Sequence, residues 1–223
     1  MTPEPHPLWP LFDLRIRSDR LVLRLPTDDD LVALAALARA GIHPPDEMPF
    51  AVPWSTMPSP AFERSFVQFH WSTRAAWTPD DWTLELLIEL DGRPVGMQGA
   101  SAKRFRVLRT ITTGSWLGRA FQGRGFGTEM RAAMLGFAFE GLAAEVAETS
   151  ARTNNRGSIG VSRSLGYEPN GVGRQAPADE PFETVRFRMT REAWFGRPRP
   201  PVAIEGLDAC RELFGIADPG PAD

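Results

Sequence analysis

The sequence predicts one α/β domain built on a mixed sheet. Three observations carry that prediction. Segments with apolar residues at every second position alternate with segments of helical periodicity, in the order β-α-α-β-β-β-α-β-α-β-β. No internal repeat or linker interrupts the middle of the chain. A glycine-rich stretch, GSWLGRAFQGRGFGTEMRAAML (Gly114–Leu135), joins an apolar run to a helix.

Taken in order, residues 1–19 open with the proline-rich MTPEPHPLWP, which reads as extended or mobile. RLVLRLP alternates Leu21, Leu23 and Leu25 against polar residues, the pattern of a half-buried strand. Thr27 then caps a helix with acids in its first turn and a stop at Gly41. Residues 42–60 carry many prolines together with Phe50 and Trp54, so this loop is expected to pack, with a pocket as one outcome. A second helix sets Phe62, Phe66 and Phe69 at helical spacing. WTLELLIELDGRPVGMQGAS reads as a hairpin turning at Asp-Gly, and RTITTGSWLG as a further strand. The helix after the glycines runs to about Gly141, with Met130, Met134 and Phe137 on one stripe. A strand (AEVAETSA), a short helix ending at Gly166, a short strand (YEPNGVG) and the alternating FETVRFRMT follow, the last expected to close the sheet. Residues 191–223 form an extension with a proline-rich joint and a short amphipathic helix, LDACRELFG.

Composition narrows the function. A net charge of -3 argues against a duplex nucleic-acid binder, which carries a basic face. No apolar stretch approaches the ~20 residues of a membrane span, and the N-terminus lacks a signal-peptide pattern. One cysteine, Cys210, excludes an intrachain disulfide framework and fits a reducing cytoplasm. Three scattered histidines and no cysteine cluster suggest no metal site.

The glycines need a reason, because glycine in a helix costs about 1 kcal/mol relative to alanine. Bare N–H groups at a helix start bind anions, phosphate above all. A Walker loop requires a lysine before its Ser/Thr, and none stands before Thr128; a dinucleotide fingerprint requires G-x-G-x-x-G after a first strand. What remains is Q-x-x-G-x-G, from Gln122 to Gly127.

That stretch resembles the acyl-CoA-binding motif of the GNAT acyltransferases, Q/R-x-x-G-x-G/A. GSWLGRAFQGRGFGTEM and NRGSIGVSRSLGY together resemble the ribosomal-protein N-terminal acetyltransferase branch, and RLVLRLPTDDD its first strand and helix start. The likeness spans roughly residues 20–190, which the resemblance marks as the GNAT domain. With MPFAVPW and the late LFG, the chain looks closer still to an actinobacterial subgroup with a succinyl-CoA-binding member. The resemblance implies a mostly antiparallel sheet with helices on both faces, and an acyl-CoA donor, acetyl-CoA or succinyl-CoA. It implies an amine acceptor: a protein N-terminus, a lysine or a small molecule. It places the pyrophosphate on the amides of Gly123, Arg124, Gly125, Phe126, Gly127 and Thr128, and pantetheine along Ser115–Gly118, including Trp116. The Leu117 amide would face the thioester carbonyl, and Asn155 would stand at the start of the next helix, near the pantetheine or the sulfur.

Family members let an amine attack the thioester directly, and no nucleophilic triad stands out here. By resemblance Ser158 is the general acid; a helix residue bonding backbone is the plainer reading. For the base, Glu183 opens FETVRFRMT and Glu85 lies among Leu84, Leu86 and Leu87. Either carboxylate, in apolar company, acquires a raised pKa; a solvent-facing strand position or a water chain are the alternatives. His70, Phe50, Trp54 and Trp77 serve an acceptor pocket or the core. Arg186 and Arg188 mark an outward strand face or an anion contact. A homo-oligomer stays open. A catalytically silent acyl-CoA-binding module is the rival to an enzyme.

Overall fold

The strand patterns pair into one nine-stranded sheet in the computed structural model, which describes residues 6–176 and 180–216. In chain order the strands are β1 (Arg15–Arg17), β2 (Leu21–Arg24), β3 (Asp81–Leu90), β4 (Arg93–Lys103), β5 (Thr110–Leu117), β6 (Val146–Arg152), β7 (Glu168–Gln175), β8 (Phe182–Thr190) and β9 (Ala203–Glu205). The helices are α1 (Asp28–Ala40), α2 (Ala61–Ala75), α3 (Phe105–Leu108), α4 (Phe126–Gly136), α5 (Arg156–Ser164) and α6 (Arg191–Phe195). The sheet runs β7-β8-β6-β5-β4-β3-β2-β1-β9. Among the described residues only β5 and β6 pair in parallel; the other neighbours are antiparallel.

Local signals explain the frame. Asp91 and Gly92, at φ 50° and 75°, make the two-residue turn that matches strand twist and sets the β3–β4 register. Thr27 and Asp30 form a reciprocal capping box at the start of α1. Arg24 clamps Asp30 at 2.6 and 2.9 Å and reaches Glu89 at 3.0 Å. The guanidinium holds the Asp30 carboxyl down at about 2. Alternation along the strands builds a core on each face. Leu86 and Ile88 pack with Met130, Met134 and Phe137, while Leu87 and Met97 pack with Leu31, Leu34, Phe62 and Phe66. Helices α1 and α2 therefore cover one face and α4 the other.

Several expectations need correction. FETVRFRMT does not close the sheet: β8 lies between β6 and β7, and β7 is the edge. β1, β9, α3 and α6, of three to five residues each, are too short to show a period in the sequence. β1 comes from the segment before residue 20, and β9 from the tail beyond residue 190. LDACRELFG is not an amphipathic helix but two single turns, Asp208–Cys210 and Glu212–Phe214, bent so that Phe214 packs on Trp77, Trp82 and Phe137. On α2 the buried stripe is Phe62, Phe66 and His70, with Phe69 half exposed. The expected readings for residues 1–5 and 217–223 lie outside the described residues. Among the described residues no helix is long and apolar enough to cross a membrane, and no group of three or more His, Cys, Asp or Glu is placed to hold a metal.

Candidate active site

The site begins where the sheet parts. β5 and β6 pair from Thr110 and Val146 as far as Thr113 and Thr149. Beyond that point β5 follows β4 and β6 follows β8, so a wedge opens after Thr113. Side chains take over at its apex. Thr149 Oγ1 donates to Thr113 O at 3.0 Å. The buried Arg131 of α4 donates to Gln98 Oε1, Thr149 Oγ1 and Ser115 Oγ at 3.2, 3.1 and 3.0 Å. Gln98 in turn donates to Gly114 O at 3.0 Å. These partners of the guanidinium are all neutral, so its charge stays uncompensated by them under the opening.

On one side of the wedge lies the glycine loop. Gly123 and Gly125 stand at φ 70° and 84°, a region that favours glycine, and Gly125 caps α4 without a side-chain bond. The N–H groups of Gly123 through Gly127 find no acceptor among the described residues. Five N–H groups without an acceptor, leading into a helix N-terminus, suit a phosphate. Gly127 gives α4 close contact with α5, where an added Cβ would sit 3.4 Å from Val161. Arg20, salt-bridged to Glu129 at 2.6 Å, lies over the Phe126 ring, and Arg124 stacks on the same ring.

The expected binding residues occupy different settings. Leu117 and Phe126 are buried side chains that offer only main chain. The Gln122 amide donates to Leu117 O and Ile42 O, both at 2.8 Å, tying the loop to the segment after α1. Thr128 Oγ1 lies 3.5 Å from Ser164 Oγ. Trp116 turns to the other face of the sheet, packing against Trp54 and Phe66. Asn155 caps α5, its Oδ1 accepting from Ser158 N at 3.0 Å. Ser158 is half-buried in that first turn, and its carbonyl accepts from Ser162 Oγ.

The face opposite α4 holds a cavity of about 410 Å³ between α2, the 42–60 loop and strands β3–β5. Phe50, Trp54, Phe62, Phe66, Met97 and Trp116 dominate its walls. Trp77 is not among them; it stacks on Trp82 in the core. Glu183 does not reach it either, being exposed on β8 opposite Arg174, and Arg186 and Arg188 are exposed on the same strand. The carboxylate that does line it is Glu85. Burial pushes this carboxyl up to about 7. His70 lines the cavity too, its imidazole lowered to about 4 by burial and then by Arg74, hence neutral at pH 7.

Sequence reasoning missed the residues that seat Glu85. Across the sheet Glu85 pairs with Gly99, and Gly99 with Gly114. A Cβ on Gly99 would fall 2.6 Å from Glu85 Oε1, while one on Gly114 would meet nothing within 4 Å. The carboxylate thus lies over the bare backbone of Gly99, and the floor stays open through Gly114 to the mouth of the wedge. Two glycines opposite one another in adjacent strands were the only available signal. Gly99→Ala is expected to evict the Glu85 carboxylate, whose flexible side chain yields before the backbone does. Turnover should then fall about tenfold or more with CoA affinity unchanged, read by steady-state rates and calorimetry.

Comparison with known proteins bears on the fold. The family model for the acetyltransferase (GNAT) domain matches residues 20–168. Mycobacterium smegmatis RimJ in complex with CoA-disulfide superposes with a TM-score of 0.64 at 19% identity, covering 86% of this chain and 99% of that one. RimL, a ribosomal alpha-N-protein acetyltransferase in complex with coenzyme A, gives 0.63 at 17%, covering 79% and 97%. The microcin self-immunity acetyltransferase MccE, in complex with acetyl-CoA and AMP, gives 0.59 at 18%, covering 77% and 93%. At these identities the structures share the fold, and the family match covers most of the chain. This chain belongs to the GNAT acetyltransferase family.

Proposed function

We propose that the protein transfers an acyl group from CoA, acetyl in the first instance or succinyl, to a primary amine, with Glu85 rather than Glu183 as general base. The observation that carries this reading is the row Glu85–Gly99–Gly114, which leads a half-buried carboxylate, pushed up to about 7, to the mouth of the wedge. The loop amides from Gly123 to Gly127 suit the donor's pyrophosphate, and the unpaired edge of β5 suits pantetheine amides. Glu85 takes a proton from the amine; the nitrogen lone pair forms the N–C bond, and the C–S pair leaves with the sulfur as CoA thiolate. The uncompensated guanidinium of Arg131 under the wedge favours that negative charge. Ser158 keeps the acid's role, delivering a proton to the thiolate, which a thiol pKa of roughly 8.5 makes a modest aid.

Mixing acetyl-CoA or succinyl-CoA with an amine panel and reading free thiol tests this directly. Tight CoA binding with no thiol release would favour the silent binding module instead. Ser158→Ala should lower kcat several-fold while leaving CoA affinity intact, and an unaltered rate would make Ser158 a cap-turn residue only.

A further inference from the structure

We infer that the acceptor is a small arylalkylamine without a carboxylate, seated in the cavity over Glu85. This rests on the acyltransferase reading above and adds the substrate class. The walls are the first argument. Trp54 lies at the centre of an aromatic array, with ring centroids 5.1 Å from Phe50, 6.0 Å from Phe62 and 5.9 Å from both Phe66 and Trp116. Such faces take a flat apolar ring by offset or edge contact. Size is the second. About 410 Å³ is within the range of small-molecule sites and leaves most of the wall uncovered by a lysine's slender methylene chain.

Charge is the third argument. Among the described residues the cavity has one ionisable anion, Glu85, and no lysine or arginine; His70 is neutral. An arriving ammonium meets its counter-ion at the reacting end. A carboxylate on the acceptor, as in an amino acid, would be buried near a like charge with no cation in the cavity wall itself, since Arg131 bonds Ser115 from the α4 side and Arg74 stands behind His70. Polar lining is sparse, with Ser65 and Ser115 beside His70 and Glu85, so the backbone of a peptide acceptor would leave its amides unmatched inside. Phe69 and Val52 continue the apolar lining to the surface, 51% and 59% exposed.

Thiol release with acetyl-CoA should be compared for phenethylamine, tryptamine, phenylalanine, ethanolamine and a serine-initial peptide. The arylalkylamines should exceed ethanolamine in kcat/KM by about 100-fold, since one methylene-sized apolar contact alone is worth about 10–200-fold. Phenylalanine should trail phenethylamine by a similar factor. Trp54→Ala should collapse the preference for phenethylamine over ethanolamine. Because that change opens the core, Phe69→Ser at the half-exposed rim is the companion variant, expected to reduce the same ratio several-fold. Turnover of the peptide with none of the arylalkylamines overturns this inference and leaves the acyltransferase reading standing. Equal rates for phenethylamine and ethanolamine, or a ratio that neither variant moves, also overturn it. No thiol release with any amine, against tight CoA binding, overturns the acyltransferase reading and this inference together.

Discussion

Replacing Glu85 with glutamine is expected to lower kcat/KM by about 10²–10⁴, the usual worth of a positioned general base. The same variant should erase a pH dependence. The parent carboxyl, held up at about 7 by burial, must be ionised to accept a proton, so kcat/KM should rise through pH 7 to a plateau. In E85Q that limb should vanish. Stability supplies a readout independent of turnover. The folded pKa lies above the unfolded carboxylate's, so between pH ~4.5 and 7 the folded chain binds the proton more tightly. The group's contribution is fully present below the unfolded value and is lost as pH rises through about 7. Calorimetric melting of E85Q against the parent should therefore show the difference shifting in the variant's favour from pH 5 to pH 8. A preserved pH limb in E85Q would assign the base elsewhere.

The second large effect concerns the phosphate loop. Gly125→Asp should weaken CoA binding about 100-fold. At φ 84° an aspartate is tolerated better than a branched residue but still strained, and its carboxylate would enter a ring of donors that suits an anion. Two charges about 6 Å apart at an effective dielectric of 20 repel by ~3 kcal/mol. The substitution would also draw on Arg20, whose Nη2 stands 3.4 Å from the position of the new Cβ. Gly125→Ala separates the parts: it carries the strain without the charge and should cost less than tenfold. Calorimetric titration of CoA into both variants reads the difference, and equal affinities for Asp and Ala would place the phosphates elsewhere.

Local chemistry was legible in the sequence wherever it was strong. The Asp-Gly turn, the Thr27 cap, the alternating leucines and the glycine loop each act within a few residues, and each appears in place. Pairing across distance was not legible. The different settings of Glu85 and Glu183 come from the register, which sets Glu85 over Gly99 and Glu183 opposite Arg174. The α2 stripe slipped from Phe69 to His70 because the sheet, rather than hydrophobicity, decides which side of a helix is covered. Arg131 reads as an ordinary helix-surface arginine until three strands bring Gln98, Ser115 and Thr149 to it. Cys210 is buried, its thiol pushed up to about 12 by burial, so the residue that suggested a cellular compartment is part of the core packing.

The far edge of the sheet joins opposite ends of the chain: β9 pairs with β1, Ile204 opposite Ile16. Phe214 closes an aromatic cluster by packing on Trp77, Trp82 and Phe137, with Trp9 edge-on to Trp77. During synthesis the chain emerges from its N-terminus, and contacts of such long separation are slow to form. Until residue 214 is free, Trp77, Trp82 and Phe137 lack their cover, and β1 presents a bare edge. Residues 203–214 thus complete an edge and a core that lie far from the wedge.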